Sequence, residues 1–208
     1  IPININGFSP ENFDKLFHGY VTAEFALSNS LNIPAVSLLN KFGKDDFANT
    51  LSGLHFKKIK QNAAKLGLSL ILGGCGVSLE ELTLMYAAFA NNGLYRNARY
   101  TSDAVDSVTQ KVISPSANFM VTEILSNLAR PDLPANWEQT AHLPKIAWKT
   151  GTSYARKDAW SIGYNKHYTV GVWVGNFSGE GAPALSGANI ATPLLFNIFN
   201  TIDYNSPN

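Results

Sequence analysis

The sequence predicts an α+β fold in which a mostly helical part precedes a short antiparallel sheet and a final helix covers that sheet. Apolar residues recur at helical spacing, with capping signals, up to about residue 128. From Ile146 onward the pattern alternates as strands do, and an apolar helical segment, Ile190–Ile202, follows it. The 208 residues contain no internal repeat, and we expect them to form one domain.

The first helices are predicted from signals at their ends. Thr22 can cap a helix over Ala23–Ser28, and Pro34 suits the first turn of a second helix that ends near Gly43. A weaker helical pattern covers 44–51.

Two further helices have clear N-terminal signals. Ser78 and Glu81 form a capping box, in which the serine hydroxyl accepts from the N–H of Glu81 and the glutamate reaches back. The helix that this box opens is predicted to reach Asn91, with Gly93 in the C′ position. A Ser-Pro pair predicts another helix over 114–128.

β-Branched and aromatic residues alternate in the later part of the chain and predict an antiparallel meander. A short hairpin is predicted between 105–108 and 111–113, and loops over 130–144 and 177–189. The three strands of the meander are predicted at Ile146–Ser153, Ala159–Tyr164 and Tyr168–Asn176.

Composition excludes several classes of protein. Hydrophobic residues make up 45% of the chain and charged residues 15%, as in folded globular proteins. A formal net charge of +1 gives no sign of a nucleic-acid-binding surface. The single cysteine, Cys75, excludes an internal disulfide, and the four histidines show no metal-ligand spacing. No apolar run approaches the roughly 18 residues of a membrane span.

The sequence Lys149-Thr150-Gly151-Thr152 lies in the first strand of the predicted meander. Lys149 supplies positive charge, Thr150 and Thr152 place two hydroxyls on one strand face, and Gly151 leaves room for another part of a site. Acyl transfer from a peptide that ends in a carboxylate needs a cation, hydroxyl donors and a rigid backbone donor for the oxyanion. This strand can supply all three.

The sequence Ser30-Leu31-Asn32 falls in the break between the first two predicted helices. On its own it has a structural interpretation, in which Asn32 caps the helix opened by Pro34. Together with Lys-Thr-Gly, and in this order, it matches two of the three signatures of penicillin-recognising serine enzymes. The third signature, Ser-x-x-Lys, carries the nucleophile, and none of the twelve lysines has a serine three residues before it.

The chain resembles the transpeptidase domain of class A penicillin-binding proteins, most closely their 1C branch. The matching stretches run nearly from end to end of the chain. They are Phe8-Ser9-Pro10-Glu11-Asn12-Phe13-Asp14, Ser30-Leu31-Asn32-Ile33-Pro34-Ala35-Val36, Leu72-Gly73-Gly74-Cys75-Gly76-Val77-Ser78-Leu79-Glu80-Glu81-Leu82, Tyr86-Ala87-Ala88-Phe89-Ala90-Asn91-Asn92-Gly93, Lys149-Thr150-Gly151-Thr152-Ser153-Tyr154, Asp158-Ala159-Trp160 and Val172-Trp173-Val174-Gly175-Asn176.

This resemblance implies a D,D-transpeptidase that cross-links peptidoglycan stem peptides ending in D-Ala-D-Ala and is acylated by β-lactams. It implies no metal or organic cofactor and no nucleic-acid partner. It also implies an extracytoplasmic location, on the periplasmic face of the bacterial inner membrane. The anchor would lie outside this chain, which makes no membrane contact of its own, and the parent protein would also carry a glycosyltransferase domain.

The resemblance also implies roles for the residues of the two motifs. Ser30 would shuttle a proton to the leaving amine, and Asn32 would hold the substrate amide. Lys149 would tune Ser30 and attract the substrate carboxylate. Thr150 and Thr152 would be its hydroxyl partners, with Gly151 between them, and the Thr152 N–H would form half of the oxyanion hole. An all-α lobe and a sheet lobe would then form a cleft.

Since the family places Ser-x-x-Lys a few tens of residues before the stretch that matches Ile1, we expect residues 1–208 to be a transpeptidase domain that is incomplete at its N-terminus. Without a nucleophile the chain alone is expected to be inactive. Two alternatives stay open. One is a β-lactamase or D,D-carboxypeptidase, which would use water as the acceptor. The other is a module that binds peptidoglycan or a partner without catalysis.

Overall fold

The computed structural model describes residues 2–105, 110–133 and 145–203. Contacts between Cα atoms divide the chain into two compact units, Ile1–Val77 and Ser78–Asn208. Within the described ranges no helix is both long and apolar enough to cross a membrane.

The first unit is helical. Its helices are α1 (Ala23–Ser28), α2 (Asn32–Phe42), α3 (Lys44–Gly53) and α4 (Lys57–Asn62), with 3₁₀ turns at Ala63–Lys65 and Leu68–Leu72. The predicted N-cap is confirmed, because the Thr22 hydroxyl accepts from the N–H of Phe25. The helix α2 ends at Gly43 as predicted but begins two residues before Pro34. The core side chains of this unit include Val36, Leu39, Leu54, Phe56 and Ile59.

The second unit combines helices with two antiparallel sheets. Its helices are α5 (Leu79–Ala90), α6 (Pro115–Ser126) and α7 (Thr192–Ile202), and its strands are β1 (Leu94–Tyr95), β2 (Gln110–Lys111), β3 (Ala147–Thr152), β4 (Asp158–Tyr164) and β5 (Thr169–Gly175). The capping box of α5 is confirmed, with both of its hydrogen bonds present. The predicted meander is confirmed as a sheet with strand order β3-β4-β5.

The structure corrects one prediction in this unit and adds one pairing. Asn92, with φ of 53°, takes the left-handed position after α5, and Gly93 occupies the next position, where its N–H donates to the carbonyl of Ala88. The strand β2 pairs with β1, so that Lys111, from the hairpin predicted between 105–108 and 111–113, lies opposite Leu94. Residues 106–109 of that predicted hairpin lie outside the described residues, as do 134–144 of the predicted loop.

The helix α7 packs on one face of the β3-β4-β5 sheet. Trp148 of β3 meets Phe196 of α7 edge-on, with ring centroids 5.2 Å apart. Ala159, Leu195 and Phe199 belong to the same buried cluster. A π-helical turn over Gly187–Ala191 leads into α7, so helical structure begins slightly earlier than the predicted Ile190. On the opposite face lies α5, since a side chain at Gly171 of β5 would collide with Thr83.

Candidate active site

Ser30 is held in a left-handed backbone conformation at the end of α1. Its φ is 54°, its N–H donates to the carbonyl of Leu27 at 3.2 Å, and the N–H of Leu31 donates to the carbonyl of Ala26 at 2.9 Å. These two bonds are those of a Schellman motif, in which the left-handed C′ position is usually glycine because glycine has no Cβ. A serine there strains the backbone, and strain of this kind is typical of functional positions.

The same turn places Ser30 at the surface, where a reacting group can reach it. The residue is exposed, although it also makes a contact of its own within the protein. The predicted break between two helices is therefore confirmed, and its residue has the accessibility that a proton shuttle needs.

Asn32 is the first residue of α2 and does not cap it. The N-cap is Leu31, which has no side chain able to accept a hydrogen bond. The capping interpretation of Asn32 is therefore wrong. Its Nδ2 instead donates to the carbonyl of Glu11 at 2.8 Å. Among the described residues no group bonds its Oδ1, so this oxygen can accept a hydrogen bond from a bound molecule.

Asn12 was missed as a functional candidate. Its Oδ1 accepts from the N–H of Ile33 at 3.1 Å and so caps α2 from 21 residues away. Asparagine is a preferred cap residue, but a sequence signal for capping is local. Only the fold brings Asn12 to this helix end.

The register of the sheet confirms that Thr150 and Thr152 share a face of β3. They lie opposite Ser161 and Ala159, which are fully buried beside α7. The Oγ1 of Thr152 accepts from the N–H of Gly187 at 3.0 Å, which ties the end of β3 to the turn before α7.

Lys149 and Gly151 occupy the other face of β3. Lys149 is half-buried, and its Nζ donates to the carbonyl of Thr150 at 3.2 Å. Burial lowers the pKa of Lys149, because removing the ammonium from water disfavours its charged form. A lysine with a lowered pKa gives up a proton more readily than a solvated one, which suits proton transfer.

Gly151 is not required by the packing of the chain itself. A Cβ placed there would have Trp160 Cβ as its nearest neighbour, at 3.6 Å, which is an ordinary contact. A Cβ at Gly187, in contrast, would lie 2.5 Å from the carbonyl oxygens of Gly151 and Trp160. A Cβ at Gly151 is thus tolerated beside Trp160, and the tight approach to this strand comes from the opposite face.

Ser30 and Asn32 lie together at the helix junction of the first unit, and Lys149–Thr152 lie together on β3 of the second unit. Within the described ranges there is no group of three or more histidine, cysteine, aspartate or glutamate side chains that could hold a metal ion. An α+β chain with Ser-x-Asn at a helix junction and Lys-Thr-Gly on a strand has the features of the penicillin-recognising serine enzymes.

Comparison with known proteins gives the same class. Residues 5–196 match the family model of the penicillin binding protein transpeptidase domain. The chain is 36% identical over 212 residues to penicillin-binding protein 1C of Escherichia coli (strain K12), which covers 100% of this chain and 26% of that protein. It is 27% identical over 180 residues to penicillin-binding protein 4 of Bacillus subtilis (strain 168), covering 81% and 28%.

A solved structure has the same fold. The PonA1 protein of Mycobacterium tuberculosis, in complex with penicillin V, has a TM-score of 0.76 and 19% identity to this chain, covering 100% of this chain and 63% of that one. The predicted α+β fold of a penicillin-binding transpeptidase is confirmed by this similarity. The chain belongs to the transpeptidase-domain family of the penicillin-binding proteins. It spans about a quarter of the length of the curated relatives that it matches.

Proposed function

We propose that this chain belongs to a serine D,D-transpeptidase domain, which cross-links peptidoglycan stem peptides ending in D-Ala-D-Ala and is acylated by β-lactams. The observation that carries the proposal is the half-buried Lys149 on the edge strand β3, next to a glycine that the chain's own packing does not require. The free edge of this strand is the edge that does not pair with β4. An extended peptide with a terminal carboxylate, or a β-lactam that mimics it, fits such a strand.

The proposed reaction assigns a separate task to each motif. A serine from a Ser-x-x-Lys segment of the same polypeptide attacks the carbonyl of the penultimate D-alanine, and the C–N bond to the terminal D-alanine breaks. Ser30 passes the proton from the attacking hydroxyl to the leaving amine, and the charge of Lys149 attracts the substrate carboxylate. The N–H of Thr152 stabilises the oxyanion, and an acceptor amine then takes the acyl group.

The rest of the polypeptide is part of the same proposal. The class A relatives imply an extracytoplasmic location, an anchor outside these residues and an accompanying glycosyltransferase domain. We expect the 208 residues alone to form no acyl-enzyme, because the attacking hydroxyl is not among them.

Covalent labelling with a fluorescent penicillin tests this function. Two polypeptides are compared: the 208-residue chain and a longer one that includes the upstream Ser-x-x-Lys segment. We expect label only on the longer form, lost with Lys149→Ala and retained with Lys166→Ala, a lysine on the exposed turn of the same sheet. Label on the 208-residue chain would show that the nucleophile is wrongly assigned. An upstream sequence without Ser-x-x-Lys would favour a non-catalytic binding module.

A further inference from the structure

Asn12 uses every polar group that it has except its N–H. It is 4% exposed. Its backbone carbonyl accepts from the N–H of Lys15 at 2.9 Å. In its side chain, Oδ1 accepts from the N–H of Ile33 at 3.1 Å and Nδ2 donates to the carbonyl of Leu16 at 2.8 Å. One buried amide therefore holds a turn of its own segment and the first turn of α2 at once.

The segment around Asn12, residues 2–20, has little regular secondary structure and few buried large apolar side chains to hold it on the helices. Apart from an isolated bridge between Ile5 and Phe8, residues 2–20 form no regular secondary structure. Its large apolar side chains contribute little burial, because they are mostly exposed. These are Phe13 at 86%, Leu16 at 61%, Phe17 at 54% and Tyr20 at 100%. Directed hydrogen bonds, together with the buried Pro10, therefore set the position of the backbone at residues 11 and 12.

This backbone in turn orients the Asn32 side chain. Glu11, whose carbonyl accepts from Asn32 Nδ2, immediately precedes Asn12 in the chain. Ile33, whose N–H donates to Asn12 Oδ1, immediately follows Asn32. Asn12 thus fixes two groups beside Asn32. One is the carbonyl of Glu11, the residue before Asn12, and the other is the N–H of Ile33, the residue after Asn32.

The helix α2 offers no substitute for this support. Its N-cap is Leu31, which cannot accept a hydrogen bond through its side chain. Without Asn12 the N–H of Ile33 would be buried without that acceptor, and an unsatisfied buried donor drives the backbone to rearrange. The rearrangement would begin at the residue next to Asn32 and two residues after the strained turn at Ser30.

We propose that Asn12 is a positioning residue for the acylation step, acting through Asn32. The inference rests on the proposed function, because it assumes that Asn32 holds the substrate amide. Asparagine suits the role since it accepts and donates at once, whereas an alanine does neither and an aspartate only accepts. Loss of Asn12 leaves Asn32 in place in the sequence but releases the Glu11 carbonyl that fixes its amide.

The test measures the acylation rate constant and the dissociation constant for a fluorescent penicillin, in the longer polypeptide that contains the upstream serine. Asn12→Ala is expected to lower the acylation rate constant roughly 10- to 100-fold, because misplacement by about 1 Å has effects of this size. The dissociation constant is expected to change less than about threefold, since the binding groups remain.

A double-mutant cycle separates positioning from general destabilisation. If Asn12 acts through Asn32, Asn12→Ala costs less than about twofold once Asn32→Ala is present. Asn118→Ala is the matched control. Asn118 is also an almost fully buried asparagine, at 5% exposure, and its Nδ2 donates to the carbonyl of Phe89 at 2.9 Å. It is expected to lower the unfolding temperature and to leave the acylation rate constant within about twofold.

If Asn12→Ala does not fold, Asn12→Asp replaces it, because the carboxylate still accepts from Ile33 and only the donor to Leu16 is lost. A decrease of about 3- to 10-fold, again absent in the Asn32→Ala background, then supports the proposal. A rate constant unchanged in the Asn12 variants, an additive cycle, or an equal decrease in Asn118→Ala would overturn it. If Asn32→Ala itself acylates normally, or the unsubstituted protein takes no label, the proposed function fails together with this inference.

Discussion

The helix junction at Ser30 and the strand around Lys149 are each assigned catalytic groups, yet the protein holds them by opposite means. The junction is exposed and left-handed, and it is fixed by a Schellman turn and by two asparagine side chains. The strand is regular and half-buried, paired along its whole length with β4 and packed against the turn before α7. The junction thus depends on a few individual hydrogen bonds, whereas the strand is held by the many backbone hydrogen bonds of its pairing with β4.

This difference follows from the proposed chemistry. A proton shuttle must be reachable and must change its hydrogen-bond partner during the reaction, so an exposed turn suits it. An oxyanion donor must not move, because its stabilisation depends on a fixed position, so a paired strand suits it. The following predictions test whether each region is held as described.

The largest effect is expected at Gly187, in the turn before α7, which contacts β3 from the face of the sheet that α7 covers. Gly187→Ala places a Cβ 2.5 Å from the carbonyl oxygens of Gly151 and Trp160, and neither backbone can yield without breaking the β3–β4 pairing. We expect a loss of stability on the order of 3 kcal/mol or more. Urea unfolding of the longer polypeptide measures it. Gly67→Ala is the control, because a Cβ there meets nothing within 4 Å. Equal stabilities of the two variants would show that the strand is not held from this face.

A second prediction concerns the strain at Ser30. Ser30→Gly removes a side chain from a left-handed position and is expected to stabilise the protein by about 1 kcal/mol. The same change removes the hydroxyl, and acylation by penicillin is expected to fall about 100-fold or more. Thermal unfolding and labelling rates together measure this trade-off.

Asn92→Gly provides the matched control for Ser30→Gly. Asn92 has φ of 53° at the end of α5, and the following N–H closes the same type of bond to Ala88. This change is expected to give a smaller stabilisation than Ser30→Gly, because asparagine tolerates the left-handed conformation better than serine does, and to leave the labelling rate unchanged. If both variants label normally, the strain at Ser30 has no catalytic purpose.

The strand was easier to predict from sequence than the junction. Residues two apart in a strand lie on one face, so the shared face of Thr150 and Thr152 could be predicted once this segment was interpreted as a strand. Capping boxes and Ser-Pro helix starts are equally local, and those at α5 and α6 were confirmed. Family motifs added the candidate residues, since their order along the chain is specific.

What could not be predicted depends on contacts between distant segments. The cap of α2 comes from Asn12, so a search for local capping residues assigned that role to Asn32 instead. The pairing of β2 with β1 spans a connection whose length no periodicity reveals. The end of α5 differed by one residue, because asparagine tolerates the left-handed conformation almost as glycine does.

A third prediction concerns the open side of the strand. Gly151→Ala places a Cβ in ordinary contact with Trp160 at 3.6 Å, so stability is expected to change by less than about 1 kcal/mol. Acylation is expected to fall about 10- to 100-fold, because the methyl group occupies space proposed for the substrate. Circular dichroism and penicillin labelling distinguish the two effects. Normal labelling of a folded Gly151→Ala protein would contradict the proposed course of the substrate along β3.

The smallest effect is expected at the side chains that fasten α7. Arg130 lies 4.4 Å from the centroid of the Phe196 ring and donates to both carboxylate oxygens of Asp132, at 3.1 and 2.8 Å, and to Asn200 at 3.2 Å. Burial by itself would raise the pKa of Asp132. The hydrogen bonds and charge of Arg130, with a bond from Asn200, outweigh it and hold the pKa below its ordinary value of 3.8.

The sign of the pH dependence follows from this lowered pKa. The folded state favours the charged carboxylate, so its contribution is complete above the unfolded value and is lost as the pH falls through the folded one. We expect Asp132→Asn to cost about 1 to 2 kcal/mol at pH 7, because Arg130 loses a charged partner. The difference in unfolding free energy between this variant and the unsubstituted protein should narrow below pH about 4.

Asp45→Asn, at a side chain that is 79% exposed, is the control, and its unfolding free energy should differ little from that of the unsubstituted protein at either pH. Penicillin labelling should be unchanged in both, since the Arg130 cluster supports the helix behind the strand and touches no proposed substrate. A decrease in labelling with Asp132→Asn would mean that the strand, like the junction, depends on a few directed bonds.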